Sequence, residues 1–375
     1  MSELTVEESG FADIVRLIDA SREQAMLAVN TALIELYWRV GEVLSRRIAA
    51  GEWGERVVPR LAAHIARTHP GVRGFTRPNL FRMRRFYETY ADTSIVSALP
   101  RQLAEEREMS SARTDVIVSA VPRQSEMADA SAAIVPALLT QLPWTHHLII
   151  LGQSKRPEER EFYLRMAIRE RWSSRELERQ FKAALFERIV LTPPKVSPLV
   201  RQIAPDALTL FKDAYMLEFL GLPTSHAEAD LHRGLLVKLK EFLLELGREF
   251  CFAGSEYPLH VGGRDFALDL LFFHRGLNCL VALEPKVGPF EPEYLGKLDF
   301  YLEALDRDVR KAHEHPSIGV LLCASKDDEV VEYALRRSLS PALIAEYQTQ
   351  LPDKKLLQAK LHEFYLQNAP EGDLA

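Results

Sequence analysis

The chain has 375 residues, enough for two or three domains, and its 47% apolar and 27% charged residues are typical of a globular protein. A net charge of −6 excludes a global basic field, so any contact with nucleic acid must come from local patches. No apolar run of about eighteen residues and no secretory signal pattern is present, and Cys251, Cys279 and Cys323 stand singly. These features predict a cytoplasmic protein with no membrane partner, disulfide framework or zinc site.

The first part of the chain, residues 11–191, has the periodicity of a helical domain. Apolar residues at helical spacing predict one helix over Phe11–Ala50, with a kink at Gly41, and a second over Arg56–Arg67. Further helical patterns follow within residues 144–188.

A short basic helix is predicted at Phe75–Tyr90, where Thr76 can serve as N-cap and Pro78 suits the first turn. Its apolar stripe leaves four arginines on the other faces, namely Arg77, Arg82, Arg84 and Arg85. A basic helix that follows two others has winged-helix or helix-turn-helix character, in which case the arginines contact DNA phosphates. The alternative is a solvated arginine face on a packed helix.

An internal repeat interrupts this helical domain. Residues 95–102 read IVSALPRQ, residues 117–124 read IVSAVPRQ, and residues 134–142 resemble a diverged third copy. The period is first 22 and then 17 residues, so a regular solenoid is excluded. We interpret the repeat as a duplicated insertion near 103–133, to which no function is assigned.

The pattern changes after residue 191. The proline-containing segment 192–224 predicts a linker, and residues 225–365 predict a second domain. Its elements follow the order αβββαβ with a trailing helix and strand, and the first two are one long helix over Glu228–Gly247 and a short strand at Tyr257–Val261. An α/β sandwich around a mixed sheet follows, which makes the whole chain an α+β multidomain protein.

A buried β-hairpin is the most informative part of this second domain. Apolar runs at Phe266–Phe273 and Leu280–Lys286 flank a short turn. Three charges interrupt the runs, at Asp269, Glu284 and Lys286. Because side chains alternate along a strand, Glu284 and Lys286 share one face. Asp269 lies beside them if the register allows.

Charges in an apolar hairpin are costly unless they are paired or hold a metal. Oxygen ligands from Asp269 and Glu284 suit Mg²⁺ (or Mn²⁺) that bridges a phosphate, and Lys286 can steady the attacking water or the developing charge. The alternative is a structural Glu–Lys pair with an aspartate at a strand end, and the D-x14-E-x-K spacing alone does not decide between them. The nucleotide-binding and nucleophile-elbow motifs GxxxxGK[ST], GxGxxG and GxSxG are absent, which disfavours ATP-driven and hydride-transfer enzymes.

Topology and hairpin together resemble the PD-(D/E)XK nuclease superfamily, which has the restriction-endonuclease-like fold. More narrowly, the chain resembles the YhcG-type proteins, a bacterial family with a helical N-terminal domain and a PD-(D/E)XK C-terminal domain. The matching sequence segments include LYWRVGE (36–42), GFTRPNLFRMRRF (74–86), FALDLLFFHR (266–275) and PEYLGKLDFYL (292–302). The resemblance covers nearly the whole chain apart from the duplicated segment.

The resemblance implies Mg²⁺-dependent hydrolysis of DNA phosphodiester bonds, in DNA processing or defence against foreign DNA. RNA as substrate and a homo-oligomeric state stay open. By this resemblance, Asp269, Glu284 and the backbone carbonyl of Pro285 would ligate the metal. Lys286 would act on the water or the transition state. Two residues of the following helix would contact phosphate, namely Lys297 and Tyr301.

Two departures from the family pattern bear on activity. Pro285 replaces the usual leucine of the Glu-Leu-Lys motif; it keeps its carbonyl but lacks the N–H, so we expect the strand pairing to shift. His232 stands where relatives carry a glutamate, which removes a supporting carboxylate. Other glutamates of the same helix are candidates to replace it, namely Glu228, Glu241 and Glu245. The alternative function is therefore a DNA-binding or assembly protein with a weakened or inactive nuclease site.

Overall fold

The computed structural model describes residues 6–54, 56–91, 137–203, 205, 210–223, 225–336, 338 and 340–367. The insertion near 103–133 and the first two copies of the repeat lie outside these residues. The described residues fall into two compact units, divided between Leu177 and Glu178. Within them, no helix combines the length and the apolar character needed to cross a membrane.

The N-terminal unit is helical, as predicted. Its helices are α1 (Val6–Ala49), α2 (Val57–Thr68), α3 (Arg77–Tyr90), α4 (Ala137–Thr140), α5 (Trp144–Gln153) and α6 (Pro157–Arg169), and α7 (Ser174–Lys182) includes the division. The apolar stripe of α3 packs against α1 and buries Leu80, Met83 and Phe86 completely. The edge of the Trp38 ring on α1 contacts Phe86.

Gly41 serves packing between helices, because α1 continues unbroken through it. A Cβ atom at this position would lie 2.2 Å from the backbone oxygen of Met83 on α3. The sequence predicts a kink here, whereas the structure uses the missing side chain to bring two helix backbones together.

The described part of the C-terminal unit contains a mixed sheet of seven strands. They are β1 (Lys195–Val196), β2 (Ala214–Met216), β3 (Phe250–Val261), β4 (Arg264–His274), β5 (Cys279–Pro289), β6 (His315–Ser325) and β7 (Ala342–Gln348). The order is β1-β7-β6-β5-β4-β3, and β2 also pairs with β7. Strands β3 to β5 are antiparallel, whereas β5, β6 and β7 run parallel.

Helices cover both faces of the sheet. The helices after the division are α8 (Leu185–Leu191), α9 (Pro198–Ile203), α10 (Glu228–Val237), α11 (Leu239–Leu246), α12 (Glu293–Asp308), α13 (Asp328–Arg336) and α14 (Lys354–Gln367). Of these, α8 and α14 pack against each other. On one face α10 and α11 bury Leu231 and Phe242, and on the other α12 buries Leu298 and Leu305. The predicted α+β architecture with a restriction-endonuclease-like C-terminal sandwich is confirmed.

The described part of segment 192–224 contributes two short strands to the sheet, although its sequence predicts a linker. Strand β1 pairs with β7 through Lys195 and Ile344, and β2 pairs with β7 through Ala214 and Glu346. Strands of two and three residues are too short for a periodic signal, so the prolines dominated the sequence pattern.

Two further element boundaries differ from prediction. The long helix predicted over Glu228–Gly247 breaks at Lys238 into α10 and α11, and Val237, just before the break, is 74% exposed. The short strand predicted at Tyr257–Val261 starts at Phe250 instead, because β3 pairs with β4 along its whole length. A register shift between Phe252 and Gly254 interrupts the alternation that a sequence pattern relies on.

Candidate active site

The two carboxylates of the hairpin lie where β4 and β5 separate. Pairing runs from His274 and Cys279 to Leu270 and Leu283, and Asp269 and Glu284 occupy the next positions outward. There the backbone N–H of Asp269 donates to Oε1 of Glu284 at 3.4 Å. The register thus places Asp269 beside Glu284, which is the condition for a site shared by the two carboxylates.

Glu284 is buried and has two ammonium groups as neighbours. Its side chain is only 1% exposed, and its Oε2 atom lies 3.0 Å from Nζ of Lys297 and 3.6 Å from Nζ of Lys286. Burial, and then the negative charge of Asp269, raise the pKa of Glu284, while the two lysines oppose the rise. A site with a buried carboxylate beside a second carboxylate favours the binding of further positive charge.

Lys286 is held by Glu228, the first residue of α10. Its Nζ donates to Oε1 of Glu228 at 2.7 Å. Burial alone would lower the pKa of Lys286, but the bond to Glu228 and the charge of Glu284 raise it above its ordinary value. The group is therefore an ammonium at neutral pH, able to stabilise negative charge but not to act as a base. Of the three candidate helix glutamates, Glu228 is the one at the site.

Lys297 and Tyr301, on α12, differ in what they offer a substrate. The Lys297 ammonium lies 5.1 Å from the centre of the Tyr301 ring, and its side chain is half exposed. The Tyr301 hydroxyl donates to the backbone oxygen of Ala267 at 2.9 Å, and its ring is buried. Lys297 therefore borders the site with a reachable charge, whereas Tyr301 holds β4 against α12.

Pro285 does not disturb the sheet in the way its sequence predicts. Pairing of β5 with β6 continues in register through Pro285 and Lys286, which oppose Leu322 and Cys323, and the irregularity comes later, before Pro289. The proline is tolerated because β4 has already separated from β5, so one side of the strand has no ladder that requires an N–H.

His232, where the family resemblance predicts a glutamate, contacts the strand rather than the carboxylates. Its Nε2 atom lies 3.2 Å from the backbone oxygen of Asp269, within hydrogen-bond distance. The histidine thus ties α10 to β4 at the residue that carries the first carboxylate.

The donor atoms at the site fit a hard divalent cation. Two adjacent carboxylates, Asp269 and Glu284, together with a backbone carbonyl at Pro285 are the oxygen ligands that Mg²⁺ prefers when it keeps several waters. Among the described residues, no cluster of three or more His, Cys, Asp or Glu side chains is arranged to hold a metal. Any ion here would therefore complete its shell with water and substrate oxygens.

The four arginines of α3 have different surroundings. Arg85 donates to the backbone oxygen of Leu151 at 2.8 Å, and Arg84 pairs with the glutamate one turn further on at 2.7 Å. Arg77 and Arg82 are exposed, and the Arg77 guanidinium lies over a phenylalanine ring. Contact between this helix and DNA stays a prediction, and Arg77 and Arg82 are its best candidates.

A buried ionic cluster surrounds Glu245, and no sequence pattern predicts it. Its carboxylate binds Nζ of Lys212 at 3.0 Å, an Nη atom of Arg179 at 2.9 Å and the backbone N–H of Met216 at 3.1 Å. Burial alone would raise the pKa of Glu245, but the charges of Lys212 and Arg179 lower it to about 2. The cluster joins α7, β2 and α11, and its members are too far apart in sequence for any motif to reveal it.

The sheet topology, the separating hairpin and its carboxylates define a nuclease of the PDDEXK class. Residues 208–362 match the family model of the YhcG PDDEXK nuclease domain, and residues 13–111 and 124–188 match that of the DUF1016 N-terminal domain. The chain is 31% identical over 360 residues to "Putative nuclease YhcG" of Escherichia coli (strain K12), covering 93% of this chain and 92% of that relative. The chain belongs to the YhcG family.

A solved structure, the crystal structure of a repair endonuclease from Pyrococcus abyssi, is also similar. The two are 16% identical with a TM-score of 0.23, over 34% of this chain and 49% of that one.

Proposed function

We propose that the protein is a Mg²⁺-dependent nuclease that hydrolyses DNA phosphodiester bonds, in DNA processing or in defence against foreign DNA. The observation that carries the proposal is the register of β4 and β5, which sets Asp269 beside Glu284 with Lys286 on the same strand. Membership of the YhcG family supports hydrolysis as the chemistry.

In the proposed mechanism Asp269, Glu284 and the carbonyl of Pro285 would hold the cation. Such a cation, when bound, would supply Lewis-acid polarisation of the phosphate and a lower pKa for a bound water. The ammonium of Lys286, fixed by Glu228, stabilises the negative charge that develops on the phosphate oxygens. Lys297 adds a second positive charge at the half-exposed rim, where a phosphate can reach it.

The experiment is cleavage of labelled linear, single-stranded and branched DNA, with RNA in parallel, in Mg²⁺ or Mn²⁺. The wild type is compared with Asp269→Ala and Lys286→Ala, and with Asp265→Ala as a matched control. Asp265 lies on the same strand, and its side chain is 90% exposed. Metal-dependent cleavage that both site variants lose and the control retains is the expected result.

A second candidate is a DNA-binding or assembly protein that retains the fold with a weakened or inactive site. The observation that favours it is that charged side chains of the site already neutralise each other. Lys297 pairs with Glu284, and Lys286 pairs with Glu228. DNA binding without cleavage, unchanged by either site variant, would support this candidate and contradict the first. Pro285→Leu would then show whether the altered motif alone suppresses cleavage.

A further inference from the structure

One face of α1 carries a regular heptad pattern that the packing of the N-terminal unit does not use. Taking Phe11 as position d, the positions a and d from Phe11 to Val43 form what we call the α1 seam. It consists of Phe11, Val15, Ile18, Arg22, Ala25, Val29, Ala32, Leu36, Arg39 and Val43. The spacing alternates between four and three residues throughout, which is the 3.5-residue period of a coiled coil.

The large apolar side chains of the α1 seam face solvent. All six, the phenylalanine, isoleucine and leucine with the three valines, are between 44% and 70% exposed. The face of α1 that packs within its own unit is a different one, on which Ile34, Trp38 and Leu44 are buried. A stripe of this kind along about 33 residues, roughly 50 Å of helix, is not the scattered exposure of an ordinary surface.

The two arginines of the α1 seam select the orientation of a partner. In a parallel pair of identical helices, Arg22 would face Arg22 and Arg39 would face Arg39, which is repulsive. In an antiparallel pair centred on Leu27, Arg22 lies opposite Ala32 of the second copy and Arg39 opposite Val15.

The same antiparallel alignment leaves room for the two arginines. Ala32 is small and Val15 is β-branched, so each guanidinium can extend past the residue opposite it to the solvent at the edge of the seam. The large residues meet each other, because Ile18 lies opposite Leu36.

We propose that two copies of this chain associate through the α1 seam as an antiparallel coiled coil. The heptad period calls for a helical partner, and a second, reversed copy of the same helix separates the arginines and sets the large residues Ile18 and Leu36 opposite each other. The proposal is independent of the nuclease activity, because all of the residues on which it rests belong to α1.

The first test is the mass of the full chain in solution, measured by light scattering after size exclusion. The wild type is expected as a dimer. Val29→Asp should raise the dimer dissociation constant at least about tenfold, because it buries a charge in the seam. Leu27→Asp is the matched control, since Leu27 is 51% exposed on the same helix but lies at position f. Val29 is 70% exposed, so the variant retains the core, which circular dichroism can verify.

A monomeric wild type, a dimer unaffected by Val29→Asp, or equal dissociation by the control variant would each overturn the proposal.

Cysteine cross-linking tests the orientation, in a Cys251→Ser background because Cys251 is exposed. Antiparallel pairing sets Ala25 opposite Val29, so a mixture of Ala25→Cys and Val29→Cys should form disulfide-linked dimers that each variant alone forms poorly. Efficient cross-linking of each variant alone would overturn the antiparallel arrangement.

Discussion

Lys286 lies 2.7 Å from Glu228 and 3.6 Å from Glu284, so the lysine of the nuclease motif is bound more closely by the helix than by its own strand. Glu228 occupies the first position of α10, one turn before His232. The helix therefore supplies a carboxylate to Lys286 from the turn before His232.

The first prediction concerns Glu228→Gln. Removing the carboxylate lowers the pKa of Lys286, because its bond to Glu228 is the largest contribution that raises that pKa. Because the bond that fixes the Lys286 ammonium in place is lost, cleavage should fall by about tenfold to a hundredfold, and the lower pKa of Lys286 should move the alkaline limit of cleavage to lower pH. The pH profile of cleavage measures both effects.

Controls separate this electrostatic role from a structural one. Glu228→Asp keeps the charge and should restore the alkaline limit, whereas Asp230→Asn, at an exposed position of the same helix, should change nothing. An unshifted pH profile in Glu228→Gln would rule out the proposed role of Glu228.

The second prediction is the pH dependence of metal binding. A carboxylate must be deprotonated to bind Mg²⁺, and the pKa of Glu284 is raised by burial and then by Asp269. As pH falls, Glu284 takes up its proton above the ordinary glutamate pKa, so Mg²⁺ binding should be lost earlier than at an exposed carboxylate site. Lys297→Met removes a charge that lowers this pKa and should move the midpoint to still higher pH.

Thermal unfolding with and without Mg²⁺, repeated across pH, measures this dependence, because a ligand of the native state raises the melting temperature. Asp269→Asn should abolish the Mg²⁺-dependent rise, and Asp265→Asn should retain it. A rise that persists at the pH where exposed glutamates are protonated would contradict Glu284 as a ligand.

How much of this site a sequence reveals depends on how local its contacts are. The hairpin, its three charged residues and the helix after it follow from strand alternation and helical periodicity within about 35 residues. Glu228 is 58 residues from Lys286, and nothing in the spacing distinguishes it from Glu241 or Glu245. Its role depends on how α10 meets the end of β5, which only the folded chain sets.

Prediction of the fold from the sequence is limited in the same way, by contacts between distant residues. Long strands and amphipathic helices are predictable because their periodicity extends over several turns or alternations. Strands β1 and β2 are short and form only by pairing with β7, about 150 and 130 residues away in sequence, so the local pattern predicts a linker there. The same holds for Gly41, because the group that requires a glycine is the backbone of Met83 on another helix.

The third prediction concerns the buried cluster of the C-terminal unit. Glu245→Ala leaves Lys212 buried without its carboxylate and should lower the free energy of unfolding by about 3–5 kcal/mol. The folded-state pKa of Glu245, about 2, is depressed, so its stabilisation is present above the unfolded pKa and is lost as pH falls toward 2. Urea unfolding at several pH values should show the difference from wild type shrinking below the ordinary glutamate pKa. Glu241→Ala, on the same helix, serves as control.

The fourth prediction concerns the contact of α1 with α3. Gly41→Ala gains helix propensity of about 1 kcal/mol but places Cβ against the backbone oxygen of Met83, which cannot rotate away. We expect a net loss of about 1–3 kcal/mol from overpacking. Gly152→Ala is the matched control, because a Cβ there meets no atom within 4 Å, and it should be neutral or stabilising. Equal melting temperatures for the two variants would contradict the packing role.

The last prediction tests whether α3 contacts DNA. Arg77→Ala and Arg82→Ala together should weaken binding and reduce the slope of log affinity against log salt by about 2, because each arginine would neutralise one phosphate. Fluorescence anisotropy with labelled DNA measures both quantities, in an Asp269→Ala background that prevents cleavage. Arg84→Ala is the control, since Arg84 already pairs with a glutamate on its own helix. An unchanged salt slope in the double variant would show that the basic face of α3 is only a solvated surface.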